Sequence, residues 1–261
     1  MPAGIRRRIF LMPEKANTFT SPLKDGAQSI LSASYWKEAA KNFKDIKMIA
    51  FASLIIALRI AVKFIVIPVD IGVDVSFDCY INSLGSLVYG PLMGLLVGAV
   101  SDTLGCLLHP TGPYFFPFIF VEMSSAFIFG LFLWKRKLSA PRVLLSKFTV
   151  NFICNIILTS AIMKPFMSIF YGKGYSFINL TRIVKNLVMF PIEAMLITLI
   201  LGAVIPAFKS MHLIDKKQEN ISLRKKDIIM IAVLLAFSVG LVLFYIFFLK
   251  QFVADHNIKL F

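Results

Sequence analysis

Five residues in this 261-residue chain have types and positions that invite chemistry: Arg59, His109, Thr111, Arg182 and Asn186. Each lies inside or at the end of a strongly apolar stretch, where a charged or amide side chain is costly unless it meets a partner. Arginine donors suit carboxylates through paired N–H groups. The ring faces of Tyr114, Phe115, Phe116 and Phe118 suit a flat ring. An anionic molecule with an aromatic head matches both, and these residues are the candidates for a ligand site. Other roles stay open. Arg59 equally suits a structural ion pair with Asp102 or Glu122, and His109 suits a helix cap. Arg182 and Lys185 suit anchors at a membrane interface, and Asn151 and Asn155 suit hydrogen bonds between helices.

Catalysis is not what these residues offer. The chain has no phosphate-cradling loop, no HExxH and no glycine-flanked nucleophilic serine. Cys79, Cys106 and Cys154 lack metal-ligand spacing and read as packing residues. A membrane enzyme would need acids or histidines on facing helices, and Asp102 and Glu122 are the only candidates. A membrane scaffold would not need an arginine in mid-membrane. The expectation is a binding protein, not an enzyme, with no cofactor and no metal.

The elements that must position these groups are membrane helices. Hydrophobic residues make up 58% of the chain and the mean hydropathy is +0.79, a balance of polytopic membrane proteins. The net charge of +14 clusters between the apolar segments, as the positive-inside rule produces. The chain is organised around residues 90–117, GPLMGLLVGAVSDTLGCLLHPTGPYFFP. Gly94, Gly98, Ser101 and Gly105 fall on one helical face and admit a close neighbour. Asp102 should turn toward protein or a polar cavity.

Residues 1–47 read as a cytoplasmic tail ending in a possible amphipathic helix over Ile30 to Lys47. Residues 48–205 read as a six-helix membrane domain, with spans from Met48, Cys79, Leu92, Tyr114, Leu144 and Thr181. Cys79 to Tyr89 is too short to span alone, and Gly90-Pro91 marks a turn after it. In the first span, Ala50, Ser53, Ala57 and Ala61 form a stripe of small residues, and Arg59 lies about 200° from Ala57 at about 100° per residue. Pro165 to Leu180 reads as a loop. Residues 206–227 form a basic linker, and residues 228–261 hold an additional transmembrane helix and a short tail. Basic loops at 135–147 and 206–226 place those ends and the amino terminus in the cytoplasm. The candidate pocket then lies toward the outer side.

These motifs resemble the substrate-binding (S) components of energy-coupling factor (ECF) vitamin importers, and most of all the folate-specific branch. Besides the segment above, FKDIKMIAFASLIIALRI, LVYGP and TRIVKNLVMFPIE agree, in order, over roughly residues 43 to 205. The resemblance implies an all-α bundle of six helices around an externally open vitamin site, closed by the loops after helices 1, 3 and 5. It implies folate or a related vitamin as ligand. It also implies docking on a transmembrane coupling subunit that carries two cytoplasmic ATPases. Family members dock through a small-residue stripe on helix 1, which Ala57 and Ala61 match. Arg59 occupies the family's Leu-Arg-Ile position and is implied to contact a glutamate carboxylate of folate, with the pterin stacked among Phe115, Phe116 or Phe118. The carboxyl-terminal span lies outside the family pattern.

Overall fold

The structure is a computed structural model that describes residues 30–69, 73–110, 114–172, 174, 180–215, 221 and 225–244. Most of the amino-terminal tail (1–29), Thr111 and the segment after 244 lie outside the described residues.

A short helix α1 (Ala33–Lys41) starts where the Ser32 hydroxyl accepts from the Tyr35 amide. It leads through a 3₁₀ turn (Asn42–Lys44) into α2 (Ile46–Lys63). The Asp45 carboxylate caps α2 by accepting from the Lys47 amide at 2.9 Å. Two short strands, β1 (Val66–Val69) and β2 (Val73–Ser76), then pair antiparallel. Among the described residues this hairpin is the one departure from an otherwise all-helical architecture. Next comes α3 (Asp78–Leu108), then a 3₁₀ turn (Phe116–Phe118), α4 (Ile119–Leu133) and α5 (Ala140–Val150). A π-helical segment (Asn151–Leu158) joins α5 to α6 (Thr159–Tyr171). Helices α7 (Leu180–Ser210) and α8 (Lys225–Phe244) are the last of the described elements.

The turn expected at Gly90-Pro91 is a sharp break within α3. Gly90 sits at φ 81° and ψ −175°, a conformation that a side chain would strain, and Pro91 brings no N–H to the ladder. Counting the two halves of α3 separately, α2, α3, α4, α5–α6 and α7 supply the six expected membrane elements. Four stretches among the described residues are long and apolar enough to cross a membrane: Asp78–Leu108, Phe116–Leu133, Ala140–Tyr171 and Lys185–Ser210.

The core runs along the bundle. Phe51 and Ile55 of α2 meet Val88, Tyr89, Met93 and Val97 of α3, Phe129 and Leu133 of α4, and Ile197, Leu201 and Ile205 of α7. The small residues of α3 do what their spacing predicts. An added Cβ at Gly94 would lie 3.1 Å from the Ala126 carbonyl oxygen, and one at Gly98 would lie 2.8 Å from that of Glu122. At the bend, Tyr35 of α1 and Trp134 form an edge-to-face pair at 5.0 Å. Helix α1 is thus present within the expected amphipathic stretch, but it rests on Leu92, Leu131 and Trp134 of the bundle. Helix α8 packs Ile231, Leu234 and Leu235 against Phe190, Ala194 and Met195 of α7 and Ala140 and Leu144 of α5.

Two loop readings are corrected. Pro141 sits in the first turn of α5, so the helix opens at Ala140 and takes up Arg142 and Lys147, which the charge pattern had assigned to a basic loop. Likewise α6 continues past Pro165 to Tyr171, because a helix in an apolar setting keeps its remaining backbone bonds rather than open them.

Candidate functional site

Arg59 is the hub. It is fully buried, on the face of α2 opposite the exposed Ala57 and Ala61, as the helical angle predicts. Its Nε donates to Asp78 Oδ1 at 2.8 Å and its Nη2 to Asp78 Oδ2 at 2.6 Å, a two-point grip on the first residue of α3. The same Nη2 donates to Glu122 Oε2 in the first turn of α4. One turn further along α2, Lys63 Nζ lies 3.3 Å from Asp102 Oδ1. Both Lys63 and Asp102 are within electrostatic reach of Glu122. Among the described residues the group therefore sets two cations against three carboxylates.

Exposure orders these groups in depth. Arg59 is 0% exposed, whereas the side chains of Asp78 and Glu122 are 15% and 28% exposed. The open surface of the cluster is thus made of carboxylates, with the guanidinium behind them. The ligand carboxylate expected at Arg59 would have to displace protein carboxylates that already hold its Nε and Nη2. Its Nη1 is buried with no hydrogen-bond partner among the described residues. Of the pairings open from the sequence, Glu122 is the partner the structure places on Arg59, and Asp102 goes to Lys63.

A second polar group links α5 and α7. Lys147 Nζ meets Glu193 Oε2 at 2.9 Å, with the lysine side chain 3% exposed, and Cys79 of α3 lies beside it. Higher in the same seam, Asn155 Nδ2 donates to Asn186 Oδ1 at 2.9 Å and Asn151 Nδ2 to the Asn186 carbonyl at 3.3 Å. These are the interhelical amide bonds that the helical spacing of Asn151 and Asn155 suggests. They tie up part of Asn186.

The aromatic candidates form a wall near the start of α4. Phe115 and Phe118 each approach Phe166 of α6, with centroids 5.5 and 5.6 Å away, and Phe166 meets Phe170 at 5.2 Å. Tyr114 is 45% exposed beside this wall. His109 ends α3 and sets its ring edge-on to Phe64 at 4.8 Å, at the end of α2. Thr111 and the side chain of Arg182 lie outside the described residues. The structure thus gathers Arg59 with Glu122, and Phe118 with the aromatic wall, while Asn186 belongs to the α5–α7 seam.

Four contributors escape the candidate list: Asp78, Lys63, Lys147 and Glu193. Lys63 carried a signal, being four residues after Arg59 and so on the same helical face. Asp78 carried none, because it follows two other aspartates and reads as loop.

Comparison with known proteins bears on the whole bundle. The family described as "ECF-type riboflavin transporter, S component" matches residues 43–207. The folate transporter FolT of Clostridium novyi (strain NT) is 30% identical over 155 residues, which cover 59% of this chain and 87% of that protein. A folate transporter FolT of Leuconostoc mesenteroides subsp. mesenteroides is 31% identical over 152 residues, covering 57% and 81%. Among solved structures, a crystal structure of FolT bound with folic acid has 28% identity and a TM-score of 0.49, over 58% of this chain and 90% of that one.

Proposed function

Because the chain belongs to the family of ECF-type riboflavin transporter S components, a multi-pass membrane family, we propose that it binds folate from outside the cell and delivers it through an ATP-driven coupling module. The observation that carries the choice of vitamin is the similarity to two folate transporters over 87% and 81% of their lengths. The basic linkers orient the bundle with the amino terminus and the α1 end in the cytoplasm. The hairpin and the Arg59 cluster then face the outer half.

In this reading His109, Thr111, Tyr114, Phe118, Arg182 and Asn186 contribute to the rim and walls, and Arg59 with its carboxylates forms the floor. The partners are a transmembrane coupling subunit, which meets the exposed face of Ala57 and Ala61, and two cytoplasmic ATPases. The chain itself has no catalytic step to perform. A second reading, riboflavin, rests on the description of the matching family.

Titration of the purified protein in detergent separates the two, with folate, riboflavin and pantothenate as ligands. Folate should bind saturably with a nanomolar constant, on the order of −12 kcal/mol. Saturable riboflavin binding without folate binding would replace the vitamin and keep the family.

A further inference from the structure

Resting on the folate reading, we propose that Glu122 is the residue that reads the ligand's heterocycle, and that Arg59 is a positioning residue which presents it. The argument starts from an asymmetry between the two carboxylates on Arg59. Asp78 spends both oxygens on the guanidinium, whereas Glu122 spends only Oε2. Among the described residues nothing bonds Glu122 Oε1, and Glu122 is the more exposed of the two, at 28% against 15%. Glu122 therefore offers a fixed carboxylate with a free oxygen to whatever enters the bundle.

Charge selects what can enter. The group that Glu122 turns toward an entering ligand is itself a carboxylate, which repels a second carboxylate and attracts a donor edge. A 2-amino-4-oxopteridine presents an amino group and a ring N–H side by side, a donor pair with the geometry of half a guanidinium. Placement agrees with this. Phe118 precedes Glu122 by four residues at the start of α4, so ring face and carboxylate lie on one side of the helix, about 5–6 Å apart at Cβ. Gly98 fixes the height of that turn, since a Cβ there would lie 2.8 Å from the Glu122 carbonyl oxygen and 3.0 Å from the Met123 Cα. The ligand thus sits heterocycle down, with its glutamate tail toward the outside.

Three ligands test the assignment in the full-length protein: folate, pteroate (which lacks the glutamate) and p-aminobenzoyl-glutamate (which lacks the heterocycle). Glu122→Gln should weaken folate and pteroate by the same factor, roughly 10- to 100-fold, the range for a hydrogen bond to a charged group. It should leave p-aminobenzoyl-glutamate unchanged. The variant keeps the neutral Arg59–Asp78 pair, and Glu122→Asp, which withdraws the carboxylate by one methylene, should give a smaller equal loss if Gln does not fold. Arg59→Lys should likewise affect folate and pteroate together. If Arg59 instead grips the glutamate tail, that change weakens folate and p-aminobenzoyl-glutamate and spares pteroate, and the assignment is overturned. Unchanged folate affinity in a folded Glu122→Gln protein overturns it too. Failure of the wild-type protein to bind folate at all would overturn the folate reading and the assignment with it.

Discussion

Arg59 holds two carboxylates that would otherwise face each other in an apolar bundle, so its removal is a charge problem before it is a binding problem. Arg59→Met takes from Asp78 and Glu122 the guanidinium they share, and breaking a buried pair in this way costs about 3–5 kcal/mol. The melting temperature in detergent should fall accordingly. The double variant with Glu122→Gln should recover part of the loss, because one neutralised carboxylate no longer opposes the other. A double variant as unstable as the single one would show that the guanidinium matters through packing alone. At this scale the sequence spoke unevenly. Arg59 is legible as a buried residue because its helical angle sets it opposite Ala57 and Ala61. Its two-point partner is not, since Asp78 becomes the first residue of a helix only once the preceding hairpin turns the chain back onto α2.

The bend in α3 depends on one residue. A Cβ at Gly90 would lie 2.7 Å from the Trp134 ring, in a backbone conformation that L side chains rarely adopt. Gly90→Ala should cost at least the 1–3 kcal/mol of such strain and push Trp134 off Tyr35. Thermal unfolding and tryptophan fluorescence would both register it, and an unchanged emission spectrum would mean that α1 does not depend on the joint. Elements of this kind are well signalled by sequence: Gly-Pro marks the bend, the small-residue face of α3 marks the close approach of α4, and long apolar runs mark the spans. The misreadings share a cause. Rules drawn from water-exposed chains treat lysines as loop and proline as a stop, yet Lys147 is buried against Glu193 and α6 runs through Pro165. Tertiary partners and the apolar setting override both signals. The β-hairpin was hidden because its residues alternate too briefly to stand out beside the helices.

The whole molecule presents two faces, to which the proposed function gives separate duties. Ala50, Ser53, Ala57 and Ala61 form an exposed strip on α2, away from the ion cluster. Replacing Ala57 or Ala61 with Leu should leave ligand binding intact and abolish uptake in cells, by blocking close approach of a partner helix. Uptake that survives both changes would assign that strip to lipid. Helix α8 covers the α5–α7 seam on residues beyond the family match, which ends at 207, so the six-helix part carries the vitamin reading by itself. The short first half of α3 has a further consequence. From Tyr89 to Asp78 it climbs about 18 Å at about 1.5 Å per residue, against a hydrocarbon thickness of about 30 Å. Because that half is buried in protein along most of its length, the shortfall becomes depth inside the bundle, and in the proposed orientation Glu122, about 9 Å along the span that starts at Phe116, lies within the membrane voltage. A charge carried that far would feel part of about 2.3 kcal/mol per 100 mV. In the proposed pose, with the neutral heterocycle leading and the charged tail trailing at the rim, capture of the vitamin should be indifferent to the resting potential of the cell.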